Sequence, residues 1–523
     1  METLALADIP QGFRTPSGVR VSKPRTSMVE KAKALDAGVV RNFIDGHWVE
    51  TGSDRVWQHV HPATGEADFV VAETAPEEVD RAVRAARRAF DEGKWGRMSG
   101  RERRLALQPL GELIRRNKHR FAELQSLDNG VPVSVGTGFR FSGDFAADAF
   151  DYFTGWIDKL DGVAPPIYAE QANSQMFTVK EPVGVVAAIT PFNAPVMQFA
   201  YKVAPALAAG CTVVFKPSEY ASNVAALYTE LIAQLDLPPG VFNLITGTAA
   251  AARSLVQHPL IDKIAFTGRR SVGEQILQAG APGLKRVQLE LGGKSPSIIF
   301  DDVRDVKAAA HKAMSLVSMG LSGQLCSTQT RALVHRSIFD EFVREASDQI
   351  KSVHLGDSYD PSVTSIPLVH EPARANVERL VDQAVAEGAT IAAGGRKIVV
   401  PGGGFWVEPT LIIDVTEDMT IAHEEIFGPV LVAIPFDTED EAVRIANDSE
   451  YGLSAGIYTA NPARAIRVGR RLRTGSVAVN DLFVAVPTVP FGGYKTSGIG
   501  REGGRDGLEG YLETKTISIP LDN

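Results

Sequence analysis

Two residues combine reactive chemistry with a setting that would use it. Glu290 closes the run Val287-Gln288-Leu289-Glu290-Leu291-Gly292-Gly293-Lys294, which reads as an apolar strand entering a Gly-Gly turn. Cys326 closes Gly323-Gln324-Leu325-Cys326, a small-residue loop after a helical stretch. A carboxylate at the end of an apolar strand is desolvated, which raises its pKa and suits it to general-base work. A thiol in a Gly-flanked loop is open to approach, and the loop's peptide N–H groups can receive developing negative charge. Thiol and carboxylate together can form a covalent acyl intermediate and hydrolyse it. Taken alone, a cysteine is more often a small buried hydrophobe, and spacing does not choose between the two roles.

The combination Glu-Leu-Gly-Gly-Lys followed by Gly-Gln-x-Cys resembles the catalytic pair of the aldehyde dehydrogenase superfamily. The resemblance runs from about Phe43 to about Ile517 and takes in further motifs in the family's order. It implies an α/β fold with two Rossmann-like parallel-sheet domains and a small β-extension for oligomerisation. The implied division is an N-terminal extension over 1–40, a cofactor-binding domain over 41–160 and 182–293, and a catalytic domain over 294–495. Segments 161–181 and 496–523 would serve oligomerisation, the strand Tyr511–Ile519 by extending a neighbouring subunit's sheet and so covering an open edge.

The elements that must position these residues are legible from patterning. Phe43-Ile44-Asp45-Gly46-His47-Trp48 reads as a hairpin with an Asp-Gly turn. Residues 76–94 and 101–127 read as amphipathic helices. From Val183 onward continuous apolar strands alternate with helices: Val183–Thr190, Thr212–Phe215, Val241–Ile245, Ile264–Phe266 and then the strand ending at Glu290. That pattern is a parallel sheet covered on both faces, and its ligands sit beyond the carboxyl ends of the strands.

The residues after each strand are therefore the candidates. Thr190-Pro191-Phe192-Asn193 follows the first. Asn193 is a good helix cap, and its amide can also donate to an oxyanion; the family's Pro-[Trp/Phe]-Asn motif implies the latter, shared with the Cys326 N–H. Lys216-Pro217-Ser218-Glu219 follows the second. A Glu accepts from ribose hydroxyls and repels a 2′-phosphate, so by resemblance Lys216 and Glu219 hold the adenosine ribose of NAD in preference to NADP, and Ser218 belongs to the same cofactor-binding set. Gly268-Arg269-Arg270-Ser271-Val272-Gly273 opens a helix suited to phosphate, although no G-x-G-x-x-G fingerprint occurs. Arg269 departs from the family, where a small hydroxyl residue is usual. Leu291, Glu425 and Phe427 complete the implied cofactor set, the last two in Glu424-Glu425-Ile426-Phe427-Gly428-Pro429.

The interval from Glu290 to Cys326 is 36 positions, slightly longer than the family's. Leu325 and Thr328 also depart from it and alter the pocket. By alignment, Ala194, Gln198, Tyr201, Leu325, Ser327, Phe483, Ala485 and Phe491 line the substrate entrance. The set is mostly apolar and lacks Arg or Lys, which favours an aromatic or medium aliphatic aldehyde. A CoA-acylating semialdehyde dehydrogenase and a non-catalytic NAD-binding homologue are the alternatives. Glu290 argues against the first, and the joint presence of Cys326, Glu290 and Asn193 against the second.

Length and composition agree. The 523 residues exceed one core; 44% hydrophobic and 22% charged content is that of a soluble globular protein. A net charge of −9 argues against a nucleic-acid surface. Two cysteines, Cys211 and Cys326, make no disulfide framework and fit the cytoplasm. No run is long enough to span a membrane, and no metal constellation is present. Residues 1–40 read as a disordered or surface-draped tail. The partners implied are an aldehyde and further copies of the chain, as a homodimer or homotetramer.

Overall fold

The structure, a computed structural model, describes residues 4–5, 13–22, 26–50, 55–138, 141–168, 173–396, 398–399, 404–481 and 485–521. Two sheets organise it. The first has eight strands in the order Gly498–Ile499, Arg286–Glu290, Lys263–Thr267, Val185–Ile189, Thr212–Lys216, Phe242–Leu244, Asn42–Ile44 and His47–Val49. The middle strands, Arg286–Glu290 through Phe242–Leu244, are mutually parallel, and Gly498–Ile499 and Asn42–Ile44 pair antiparallel at either side. In sequence the chain builds outward from Val185–Ile189 in one direction, then returns to lay Lys263–Thr267 on its other side. The crevice at that reversal lies between the ends of these two strands, where an open α/β sheet binds its ligand. Thr190 and Gly268 stand at its lips.

The second sheet has seven strands, drawn from Pro296–Ile299 to Ser476–Val479. Each sheet buries its own apolar clusters, Val185, Ala187, Val214 and Ile264 among them in the first and Ile298, Leu333, Val432 and Ile457 in the second. Val185–Ile189, Thr212–Lys216 and Lys263–Thr267 are buried at every position, as strands covered on both faces must be.

Two expectations need correction. The single helix over 101–127 is three helices, Gly100–Leu107, Pro109–Arg116 and Lys118–Asn129. Pro109 has no N–H to continue the first, and Asn117 leaves helical geometry at φ −100°. The N-terminal segment is docked, not draped. Arg20–Val21 pairs with His354–Leu355, Val19, Val21 and Met28 are buried, and Met28–Ala34 is a helix packed on Ala67–Ala72. The few apolar residues too sparse to show periodicity are those that anchor it. Within the chain the tail strand Leu512–Pro520 pairs antiparallel with Ser174–Pro182 along its whole length. The carbonyl of Tyr511 begins that ladder by accepting from the Val183 N–H.

Candidate active site

Glu290 ends its strand opposite Thr267 on one side and Gly498 on the other. It is 1% exposed, and neither carboxylate oxygen has a hydrogen-bond partner among the described residues. Gly492 approaches so closely that a Cβ there would stand 2.7 Å from Oε1. Burial, and then the charge of Glu502, hold the carboxyl well above the usual carboxylate range, while Lys202 and Arg501 pull it down.

The Gly-Gly turn after Glu290 has a packing reason. A Cβ on Gly292 would meet Glu425 Oε2 at 2.2 Å, and one on Gly293 would meet the Cys326 carbonyl at 2.6 Å. Two small residues therefore let the Glu425 carboxylate and the Cys326 loop close onto the strand end together. The Gly293 N–H donates to Glu425 Oε1 at 3.0 Å. Burial raises the Glu425 carboxyl to about 7 against this bond and the charges of Lys294 and Arg269.

Cys326 is half-buried in a loop pinned from two sides. On one side Gln324 donates through Nε2 to the Pro367 carbonyl at 3.0 Å and accepts from the Val369 N–H at 3.1 Å. On the other, Asn193 Nδ2 donates to the Gln324 carbonyl at 2.8 Å. The cap position of the Pro195–Ala209 helix belongs to Ala194, in left-handed geometry with φ +51°, so Asn193 is not spent as a cap. Among the described residues no hydrogen bond engages the Cys326 N–H. Burial first, then the charges of Glu290, Glu425 and Glu502, push the thiol up to about 12, opposed by the Ser327 N–H. Thiol, buried carboxylate and amide are thus brought together at the carboxyl end of the parallel sheet. The set can add sulfur to a carbonyl, receive the oxyanion and activate water.

The expected cofactor residues line the crevice. Lys216 is buried with its ammonium 3.6 Å from Glu219, and burial lowers its pKa. Ser218 turns the chain there by accepting from the Tyr220 N–H. Thr190 donates its N–H to the Lys216 carbonyl at 3.2 Å and leads into Pro191. Gly268 donates to the Glu290 carbonyl at 3.0 Å, and Gly273 leaves room for Leu291, which would stand 2.9 Å from an added Cβ. Arg269 is exposed and bears electrostatically on both Glu425 and His370. Phe427, at φ +54°, meets Phe192 edge-on at 6.0 Å. The buried Thr267 hydroxyl beside Gly268 has no partner among the described residues. A carboxylate at each end (Glu219 and Glu425) for two riboses, a helix start between them and an unspent hydroxyl fit a dinucleotide.

Of the expected pocket residues, Ala194, Gln198, Tyr201 and Phe491 are buried, and Leu325, Ser327 and Ala485 are half-buried. Phe483 lies outside the described residues. Ala194 and Leu325 belong to an apolar cluster with Val131, Leu321 and Ile366 that sequence reasoning did not assemble. It also missed Lys202 and Glu502, a fully buried ion pair whose charges act on Glu290. The signal was available: Lys202 sits one turn past Gln198 on the same helix, and a lysine in an otherwise apolar helix needs a partner. His370 was missed too; its ring lies 5.2 Å from Tyr220 and within the fields of Arg269 and Glu219.

The model of the aldehyde dehydrogenase family matches residues 48–517. The chain belongs to the aldehyde dehydrogenase family. Aldehyde dehydrogenase 1 of Tanacetum cinerariifolium is 41% identical, with 94% of this chain and 97% of the relative aligned. The human retinal dehydrogenase 2 is 39% identical over 93% of each. Among solved structures, betaine aldehyde dehydrogenase from Staphylococcus aureus in complex with NAD+ superposes with a TM-score of 0.90 at 36% identity, covering 95% of this chain and 98% of that one. The chain is accordingly an oxidoreductase acting on aldehydes with the family's NAD-linked chemistry, on the family's α/β fold. No helix among the described residues is long and apolar enough to cross a membrane.

Proposed function

We propose that the protein oxidises an aldehyde to its carboxylic acid through a covalent cycle on Cys326, with NAD held by Lys216, Glu219 and Glu425. The observation that carries the reading is the meeting of the Cys326 loop, the partnerless buried Glu290 carboxylate and the Asn193 amide at one point. The Cys326 thiol gives its proton to solvent water as Sγ adds to the aldehyde carbon. The oxyanion is received by the Asn193 side chain and the Cys326 N–H. NAD, when bound, supplies the acceptor for the hydride that leaves this carbon, which turns the adduct into a thioester on Cys326. Glu290 then takes a proton from water; the hydroxide adds to the thioester carbon, the C–S bond breaks, and the acid departs with the thiolate restored.

The apolar cluster beside Leu325 supports an aromatic or medium aliphatic aldehyde. The relatives' names span betaine and retinal aldehydes, so the wall residues of this chain carry that argument. The ribbon of Ser174–Pro182 and Leu512–Pro520 is two-stranded, and among the described residues no strand lies on the outer edge of Leu512–Pro520, which supports assembly as a homodimer or homotetramer. Two free thiols are consistent with the cytoplasm.

The test is NADH formation with a panel of aldehydes, using NAD or NADP, with and without CoA, on the wild type and Cys326→Ala. CoA-independent turnover with NAD that disappears in Cys326→Ala is expected. Turnover that survives the substitution would overturn the nucleophile, and a CoA-dependent product would favour the acylating alternative.

A further inference from the structure

The reaction above makes no use of one buried polar group on the substrate side. Gln198 is 3% exposed, and its Oε1 is buried with no hydrogen-bond donor among the described residues. Its surroundings are apolar. One turn earlier on the helix, Ala194 packs with Val131, Leu321 and Ile366, and Met197 and Leu325 join them. One turn later, Tyr201 meets Phe145 edge-on at 5.5 Å and faces Gly503, where an added Cβ would stand 3.5 Å from its ring. Residues spaced three and four apart share one helix face. That face therefore runs from the neighbour of Cys326 to the 485–504 loop, with Gln198 midway.

A buried acceptor without a donor is costly, and native structures keep one where something else supplies the hydrogen. An apolar wall broken by a single amide is also how a pocket fixes the orientation of a small ligand. We infer that Gln198 accepts a hydrogen bond from a hydroxyl at the far end of the substrate, so that the enzyme selects hydroxylated aromatic aldehydes over their plain counterparts. This inference rests on the reading of Cys326 and Asn193 as the reacting end.

The experiment compares kcat/KM for benzaldehyde, para-hydroxybenzaldehyde and para-methoxybenzaldehyde in the wild type, Gln198→Met and Gln198→Leu. The methoxy compound accepts a hydrogen bond but cannot donate one, so it separates an exposed carbonyl end of the amide from an exposed N–H end. In the wild type the hydroxy compound should lead both others by about 10- to 100-fold, the cost of leaving one buried acceptor unpaired. In both variants that lead should collapse and the plain aldehyde should gain. NAD binding by fluorescence titration reports whether each variant is folded. Equal values for the three aldehydes in the wild type, or a lead for the methoxy compound, would overturn the inference. So would a hydroxy preference that survives in the variants. If the wild type oxidises no aldehyde, it is the underlying reading that fails.

Discussion

The side-chain amide of Asn193 reaches from the end of the first parallel strand to the carbonyl of Gln324, 2.8 Å away and two residues before Cys326. The bond ties the nucleophile's loop to the sheet that builds the cofactor crevice. The same amide is the proposed oxyanion donor, so one contact would set both the loop's position and that donor's place.

Asn193→Ala should lower kcat by about 10²- to 10³-fold, the usual loss for one oxyanion donor, with a smaller change in KM. Asn193→Asp should fall further, because a carboxylate would face the oxyanion. Steady-state kinetics decide this, and wild-type kcat in Asn193→Ala would exclude the role.

In the proposed cycle Glu290 is needed only to hydrolyse the thioester. Glu290→Gln should therefore release NADH in a single burst and then turn over slowly, which stopped-flow absorbance would record. The pH dependence has a definite sign. Burial and Glu502 hold the carboxyl above its ordinary range, so the base form appears only as pH rises through that raised value. Wild-type turnover should climb with pH, and the climb should be absent in Glu290→Gln. A linear trace without a burst would reject the assignment.

The candidate pair could be singled out because each member sits at a local signature, an apolar strand end and a Gly-flanked loop, but only the family resemblance chose the reactive role over the packing one. The order of strands was legible because covered parallel strands are apolar at every position. Lys202 and Glu502 were not, since 300 positions separate them and neither has a local signature of its role. The docking of the N-terminal segment was hidden for a similar reason: Val19 and Val21 become core only when His354–Leu355 arrives beside them. Asn193 showed the limit of propensity, which offered a helix cap where tertiary contact assigns the amide to Gln324.

Thiol chemistry offers a second view of the same charges. The Cys326 thiol is pushed up to about 12 by burial and by Glu290, Glu425 and Glu502. At alkaline pH, where Glu290 is ionised, Glu290→Gln removes one of those charges and should speed alkylation of Cys326 by iodoacetamide. Cys211, buried and held at about 11 by burial, should stay unmodified because reagent cannot reach it. Peptide mass spectrometry separates the two sites, and an unchanged Cys326 rate in the variant would show that the charges do not couple.

Lys202 and Glu502 pair at 0% and 1% side-chain exposure. Lys202→Met leaves a buried carboxylate uncompensated and should destabilise the protein by roughly 3–5 kcal/mol. It also removes a cation that lowers the Glu290 pKa, so the pH–rate profile should move to higher pH. Urea unfolding and the pH profile are read separately. A loss of stability with no alkaline shift would reduce the pair to a structural role.

The N-terminal segment is linked to the reactive loop by a short chain of contacts. The Ser22 N–H donates to the Leu355 carbonyl at 2.9 Å. Leu355 bridges to Ser365, and the Ser365 hydroxyl bonds that of Ser322 at 2.6 Å, four residues before Cys326. Deleting residues 1–22 removes the buried Val19 and Val21 side chains, worth about 1.5–3 kcal/mol each, and strips the partner from His354–Leu355. The unfolding midpoint in urea should drop, and amide exchange across 322–328 should quicken, with kcat falling as the loop loosens. If stability drops while exchange in that loop and kcat hold, the segment is an anchor only. If neither moves, its packing contributes nothing to the fold.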